Sequence, residues 1–401
     1  VNNIISDFTI NTEDVHYMNL ALSLAQRGAY STKPNPAVGC VLVNNGQVVG
    51  QGSHVKAGEP HAERLALAAA GDAAQGATAY VTLEPCAHFG RTPPCATGLV
   101  EAGVAKVVVA MLDPNPLVAG KGVHILQQAG IAVHVGLGAA QAEALNLGFL
   151  KRMQHQLPYV RVKLAASLDG RTAMANGESQ WITGEASRLE VHKMRAFAGA
   201  LITGVNTVLA DNPSLNVRLP EQTLHALNLT PDSAQPLRVV LDSALRTPLN
   251  AKLLSLPGRT LIMTTHAALL QQPQVALHLQ QAGCEVVAIA CDARDEHEGA
   301  PAGRLNLHAV LRYLAKAEHI NDVLVEAGAV LSGAFVQAGL VDELHCFMAP
   351  SLLGDAAKPL MVLPGLVKMA QKIQLSFDSV NQIGEDIHLV LKPVANQTVC
   401  N

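Results

Sequence analysis

Apolar positions in the first 150 residues switch between two spacings. Val15, Met18, Leu22 and Ala25 recur every three to four residues, the period of one helix face, with Thr12 where an N-cap belongs and Gly28 where the helix should stop. Residues 38–43 and 47–50 flank Asn44-Asn45-Gly46. That pattern predicts a hairpin, because Asn and Gly accept the positive φ of a tight turn. The pattern then predicts a helix over 61–74, a strand over 77–83, a proline-rich loop and a short helix ending near Gly103. Strands over 106–112 and 131–135 and a helix over 140–153 complete this half. The polar run 151–158, which ends in Pro158, marks a boundary between a first domain, 1–155, and a second, 156–401.

The second half restarts the alternation. Strands are expected at 159–165, 200–203, 237–241, 260–263, 285–289 and 322–326, separated by helical stretches, and then at 343–348, 373–377 and 386–391. This is an α/β domain whose last strands should pair antiparallel. Residues 213–236 carry no clean period and read as an excursion loop.

Composition then narrows the classes. With 28 Lys+Arg against 32 Asp+Glu and a net charge of −4, no nucleic-acid partner and no membrane partner is expected. Thirteen aromatics in the whole chain (seven Phe, five Tyr, one Trp) offer few stacking platforms. No apolar run reaches the length of a membrane span, and the first residues lack the basic and apolar regions of a secretory signal. Seven cysteines, an odd count in a long chain, suggest a reducing cytoplasm and thiols kept for chemistry or core filling.

The sharpest chemical signal is Pro60-His61-Ala62-Glu63, followed by Pro85-Cys86 and Pro94-Cys95. One imidazole and two thiolates suit Zn²⁺, and three protein ligands leave the fourth position open, as a catalytic site requires. Glu63, two residues after His61 at a helix start, is placed to carry a proton from water to a leaving amine. The zinc-deaminase signature is His-x-Glu with Pro-Cys-x-x-Cys. Here eight residues, 87–94, separate the two cysteines and add His88 and Arg91, the latter suited to a phosphate.

Longer stretches carry a resemblance. Thr32 to Cys40, His54 to Glu63, Glu84 to Cys95, Asp113-Pro114-Asn115-Pro116, Lys163 to Ala173, Gly177 to Thr183, Gly204 to Pro213 and Val325-Glu326-Ala327-Gly328 are similar to the bifunctional riboflavin-biosynthesis deaminase/reductase family. The resemblance spans roughly residues 12–395. It implies an N-terminal cytidine-deaminase-like α/β/α domain and a C-terminal dihydrofolate-reductase-like α/β domain. The first would hydrolytically deaminate 2,5-diamino-6-ribosylamino-4(3H)-pyrimidinone 5′-phosphate. The second would use NADPH to reduce the ribosyl group, giving 5-amino-6-ribitylamino-uracil 5′-phosphate.

Carried over by motif, His61, Cys86 and Cys95 hold Zn²⁺, Glu63 shuttles the proton, Asn35 reads the pyrimidine edge, and His88 and Arg91 hold the ribose phosphate. In the second domain the resemblance assigns Ala165, Ser179, Trp181, Thr207, Asp211 and the turn Gly328, Ala329, Val330, Leu331, Ser332, Gly333 and Ala334 to NADPH. Lys163, Thr183, Arg195, Leu215, Arg218 and Glu326 line the substrate site, with Lys163 and Glu326 as catalytic candidates. The residue types agree in part. A turn that follows a strand and opens a helix has N–H groups for a pyrophosphate. Lys163 could polarise the ribose C1′ as hydride arrives, Glu326 could orient that Lys, and Arg195 and Arg218 read as phosphate grips. Trp181 reads by residue type alone as core.

The expected partner is a small-molecule pyrimidine ribosyl phosphate, and the chain is expected to form a homo-oligomer in the cytoplasm. The alternative is a zinc deaminase acting on RNA or nucleosides with an accessory C-terminal domain, which would need a basic groove and stacking aromatics. A zinc-stabilised interaction protein would need His54 or His88 as a fourth ligand. Cys284, Cys291, Cys346 and Cys400 have no ligand spacing.

Overall fold

The computed structural model describes residues 9–87, 94–115, 118–291 and 303–394. These divide into two compact units: one runs to Gln156 and includes Gln222–Thr230, and the other comprises Leu157–Glu221 and the chain from Pro231 onward.

The first unit contains α1 (Thr12–Gln26), β1 (Gly39–Asn44), β2 (Gln47–Ser53), α2 (Ala62–Ala70), β3 (Thr78–Val81), α3 (Cys95–Glu101), β4 (Lys106–Val109), α4 (Lys121–Gln128), β5 (Ala132–Val135), α5 (Ala139–Leu145) and α6 (Leu147–His155). Among the described residues its sheet has five strands in the order β2-β1-β3-β4-β5. β1 runs antiparallel to β2 and β3, and β3, β4 and β5 are parallel. The hairpin turns through Asn45 (φ 50°) and Gly46 (φ 73°), the conformation that Asn-Gly favours.

Glycine lets two helices reach the sheet. A Cβ on Gly39 would lie 2.0 Å from the Ala21 carbonyl oxygen of α1, and one on Gly52 would lie 1.9 Å from that of Ala62 in α2. Cys40, the neighbour of Gly39, pairs with Gly52. Strand side chains alternate faces, so α1 and α2 lie on opposite sides of the sheet. Val41, Leu42, Val81, Val107 and Val109 are fully buried between them.

Three local details differ from the sequence expectation. The N-cap of α1 is Asn11 rather than Thr12: Asn11 accepts from the Asp14 N–H, and Asp14 accepts from the Asn11 N–H (both 2.9 Å). This reciprocal box satisfies two N–H groups at once. The predicted 140–153 helix is broken at Asn146, whose amide accepts from the Ala37 N–H (2.8 Å) and donates to the carbonyls of Ala37 and Ala142. Helix α4, for which no sequence signal was read, starts on a carboxylate. Buried Glu84 accepts from the N–H groups of Asp113 (3.2 Å), Gly120 (2.9 Å), Gly122 (2.9 Å) and Val123 (3.2 Å).

The second unit contains β6 (Tyr159–Ser167), β7 (Arg171–Ala173), α7 (Glu185–Phe197), β8 (Ala200–Gly204) and α8 (Val205–Asp211). Helix α9 (Glu221–Ala226) follows within the predicted excursion loop, and Gln222–Thr230 groups with the first unit, so the 156–401 range is interrupted there. The chain returns with β9 (Leu237–Leu241), β10 (Thr260–Thr264), α10 (His266–Gln271), α11 (Pro273–Gln281), β11 (Glu285–Ala288), α12 (Leu307–Lys316), β12 (Asp322–Val325) and α13 (Ala329–Gln337). It closes with β13 (Glu343–Ala349), β14 (Lys358–Pro359), β15 (Leu375–Ile383) and β16 (Asp386–Pro393).

Nine of these strands form a sheet in the order β11-β10-β9-β8-β12-β6-β13-β16-β15, and β7 and β14 make a separate pair. The strands from β11 to β13 are parallel, while β16 is antiparallel to β13 and β15. Their near-continuous apolar runs follow from burial on both faces. Val162, Val239 and Val325 pack on one side, and Leu201, Val240 and Leu324 on the other.

Charge pins the central strands. Arg161 on β6 pairs with Asp322 on β12 (2.6 Å) and with Glu343 on β13 (3.0 Å), and the Tyr159 hydroxyl donates to Glu343 (2.9 Å). Burial opposes ionisation of Glu343, but His345, Arg161 and Tyr159 outweigh it and hold the carboxyl down at about 2. No helix among the described residues is long and apolar enough to cross a membrane.

Replacing Glu84 by Ala strands three N–H groups at the start of α4 and that of Asp113 after β4. Amide exchange at Gly122 and Val123 should rise by about a hundredfold, corresponding to a loss of about 3 kcal/mol. Exchange in β13, in the other unit, should not change.

Candidate functional site

In the first unit the sequence brings three donor atoms to the ends of separate elements. His61 is the N-cap of α2, Cys86 follows β3, and Cys95 opens α3. Gly52 lets the first turn of α2 sit against β2, and Gly122 lets α4 approach the Pro85 carbonyl, where a Cβ would lie 1.9 Å from the oxygen. Glu84 immediately precedes Pro85-Cys86, so its four N–H bonds also hold the loop that carries a ligand. Arg64 donates to the Pro94 carbonyl (3.0 Å), the residue before Cys95. Sequence reasoning assigned no role to Glu84 or Arg64. Glu84 stands inside the motif, but its partners lie 29 to 39 residues away.

His61 Nδ1 lies 3.6 Å from Cys86 Sγ and 3.4 Å from Cys95 Sγ, and all three donor atoms fall within 4.8 Å of one another. A tetrahedral ion with nitrogen at about 2.0 Å and sulfur at about 2.3 Å needs N···S edges of about 3.5 Å. The donor set and its spacing therefore fit Zn²⁺. The Cys95 thiol donates to Cys86, which pulls the Cys86 thiol well below its usual range and pushes that of Cys95 up.

Glu63 is 3% exposed, and burial pushes its carboxyl up to about 7. It is outside the ligand group and beside it. His54 is not a fourth ligand. Its Nδ1 meets the Pro60 carbonyl (3.2 Å) and its Nε2 meets the Asn35 amide (3.1 Å). The carbonyl can only accept, so Nδ1 carries the proton and Nε2 accepts from Asn35. This bond sets the orientation of the Asn35 amide. His88 and Arg91 lie outside the described residues.

In the second unit a cleft of about 1380 Å³ runs along the C-terminal ends of the parallel strands, the usual place for a ligand in such a sheet. It gathers Lys163, Ala165, Ser179, Trp181, Thr183, Arg195, Thr207, Asp211, Leu215, Arg218, Glu326, Gly328, Ala329, Val330, Leu331 and Ala334. Ser332 and Gly333 do not line it. They lie on the inward side of α13, where the Ser332 hydroxyl donates to the Ala327 carbonyl (3.2 Å) and Gly333 packs against the Val362 carbonyl. Trp181 is 69% exposed, with the Arg188 guanidinium 4.7 Å above its ring. It is a cleft wall, not core.

Gly328 caps α13 in an extended conformation that any residue adopts (φ −69°), and a Cβ there would meet only Thr207 Oγ1, at 3.8 Å. The protein itself does not demand glycine at this position. What the glycine leaves is open cleft beside the first N–H groups of α13, which have no acceptor within the helix. That cradle suits a pyrophosphate, so the residues fit NADPH.

Arg195, read from the sequence as a phosphate grip, lines the cleft already engaged with a carboxylate. It forms a two-pronged pair with Glu326 (2.6 and 2.8 Å) and donates to the Asn216 carbonyl. Burial opposes ionisation of Glu326, but Arg195 and Lys163 hold its carboxyl below the usual range. Burial pulls the Lys163 ammonium below its usual value; Glu326 opposes this and Arg195 adds to it. Arg218 remains exposed at the cleft.

Residues 158–389 match the RibD C-terminal domain, and residues 11–111 match the cytidine and deoxycytidylate deaminase zinc-binding region. The chain is 49% identical over 383 residues to the riboflavin biosynthesis protein RibD of Escherichia coli K12, covering 94% of this chain and 99% of that protein. It is also 49% identical over 393 residues to RibD of Haemophilus influenzae, covering 96% and 98%. Among solved structures, Acinetobacter baumannii RibD superposes with a TM-score of 0.84 at 48% identity, covering 95% of this chain and 99% of that one. The chain therefore belongs to the RibD family, the bifunctional deaminase/reductases of riboflavin biosynthesis, which use zinc in one domain and NADPH in the other.

Proposed function

We propose that the first unit hydrolyses the 2-amino group of 2,5-diamino-6-ribosylamino-4(3H)-pyrimidinone 5′-phosphate. The second unit then reduces the ribosyl group of the deaminated product to ribityl, giving 5-amino-6-ribitylamino-uracil 5′-phosphate. The observation that carries this reading is the pairing, in one chain, of an N,S,S donor set beside a buried carboxylate with a strand-end cleft that holds a half-buried lysine. A Thermotoga maritima protein described as a diaminohydroxyphosphoribosylaminopyrimidine deaminase/5-amino-6-(5-phosphoribosylamino)uracil reductase supports it, with a TM-score of 0.80 at 29% identity over 95% of this chain and 99% of that one.

His61, Cys86 and Cys95 would hold Zn²⁺, which when bound would supply a Lewis acid for the attacking water. Asn35, oriented by His54, offers its amide to the pyrimidine edge. Glu63 takes a proton from the water and returns it to the departing amine, so ammonia leaves as the carbonyl forms. The ribose phosphate falls to His88 and Arg91. In the second unit bound NADPH would supply hydride to C1′ of the ribosyl group, whose C1′–O4′ bond opens as O4′ takes up a proton. There the Lys163 ammonium polarises the accepting centre, Glu326 and Arg195 fix the electrostatics around it, and Arg218 meets the phosphate. Thr183 and Leu215 complete the substrate wall, and Ala165, Ser179, Trp181, Thr207, Asp211 and the Gly328 turn the cofactor wall.

The cytoplasm is the compartment that suits two ligating thiols that must stay reduced. A homo-oligomer is supported by β15, a nine-residue edge strand with Phe377 67% and Val380 58% exposed. Long apolar edges invite pairing.

Three measurements test this reading. Glu63→Gln should keep its zinc, read by metal analysis, and lose deamination by at least about a hundredfold; full activity would remove the assigned role. Lys163→Ala should stop NADPH oxidation on the deaminated pyrimidine while ammonia release from the diaminopyrimidine persists; loss of both in a folded protein would contradict two separate sites. Phe377→Asp should lower the sedimentation mass of the purified protein, and an unchanged mass would move the interface elsewhere.

A further inference from the structure

The chain between α8 and α9 carries two residues assigned to the substrate, Leu215 and Arg218, yet residues 212–220 belong to no strand or helix. Its side chains alternate: Leu215, Val217 and Leu219 are buried, while Arg218 is exposed at the cleft. An extended segment without a partner strand must find other partners for its backbone groups. Whatever holds this one decides where Arg218 stands.

Side chains supply those partners. Gln235 takes both groups of Val217, accepting from its N–H (2.9 Å) and donating to its carbonyl (3.2 Å). Arg195 of α7 donates to the Asn216 carbonyl (3.1 Å). The Arg218 N–H donates to Nδ1 of His192 (3.2 Å), which stands about one turn before Arg195 on the same helix. The Asn216 side chain accepts from the Arg218 guanidinium. Both the backbone and the side chain of Arg218 are thus held, and His192 itself lines the cleft.

A backbone N–H can only donate, so Nδ1 of His192 is bare and the imidazole carries its proton on Nε2. The surroundings favour that neutral form. Burial and the Arg195 and Arg218 guanidinium groups pull the imidazole down to about 4, against Glu326 and the Asn216 backbone. The acceptor is therefore available at neutral pH and is lost only as the pH falls toward that value.

We propose that His192 is a positioning residue of the reductase: its Nδ1 pins Arg218 to α7 so that the guanidinium meets the phosphate of the pyrimidine ribosyl phosphate. The proposal rests on the assignment of Arg218 to that phosphate. His192 then acts through Arg218 and takes no part in hydride transfer, so its loss weakens capture of the pyrimidine and spares both the cofactor and the chemical step.

Steady-state NADPH oxidation by the full-length protein, with the deaminated pyrimidine supplied directly, tests it. His192→Leu should raise KM for the pyrimidine roughly 10-fold, with kcat and KM for NADPH unchanged. His192→Asn, which returns an acceptor near the place of Nδ1, should keep the wild-type KM. Arg218→Ala should raise the same KM further, and adding His192→Leu to it should cost nothing more, because the imidazole acts through a residue already lost. An unchanged pyrimidine KM in His192→Leu, an equal rise in KM for NADPH, no rescue by His192→Asn, or additive losses in the double variant would each overturn the positioning role. An unchanged KM in Arg218→Ala would overturn the phosphate reading of Arg218 itself, and this proposal with it.

Discussion

A carboxylate taken out of water must find donors for its oxygens or give up its charge, and both halves of this chain are organised around that constraint. Glu84 answers it with four backbone N–H groups and thereby fixes the loop before Cys86 and the start of α4. Glu343 answers it with Tyr159, Arg161 and His345, tying β6 to β13. Glu326 answers it with Arg195, and the pair closes one wall of the reductase cleft. Glu63 has no such set and is correspondingly pushed toward its neutral form. It is also the carboxylate proposed to move a proton.

The Arg195–Glu326 pair also determines what the cleft can offer an anion. With one guanidinium held by Glu326, the cleft still presents to an anion the exposed Arg218 and the first N–H groups of α13, beyond Gly328. They come from different elements, Arg218 from the chain between α8 and α9 and the N–H groups from the start of α13 after β12.

Much of this was legible in the sequence, and the exceptions share a cause. The hairpin could be read because Asn45-Gly46 meets the demand of its turn without outside help. The zinc donors could be read because each carries its own proline-marked context. The 237–241 strand could be read from its apolar residues Leu237, Val239, Val240 and Leu241, interrupted by Arg238 alone. Asn146 looked like one more helix residue because the backbone it grips, Ala37, is 109 positions away. Arg195 looked like a free cation because Glu326 is 131 positions away. Ser332 and Gly333 lay in a turn that reads as a contiguous ligand cradle, but helical geometry turns two of its seven residues inward. Asn11 was overlooked as a cap because Thr12 is an equally good cap by residue type, and only the reciprocal bond with Asp14 separates them. Local chemistry shows in a sequence, whereas long-range pairing does not.

The segment Gln222–Thr230 carries a consequence of another kind. By its contacts it belongs to the first unit, and Asn228 donates to the carbonyl of Arg27, 201 positions earlier. The polypeptide therefore crosses between units three times rather than once. No single linker exists at which the two halves could be parted. A fragment ending at Gln156 forfeits part of its own surface, and one starting at Leu157 carries a stretch whose native neighbours are gone. The two units are interleaved along the chain rather than strung end to end.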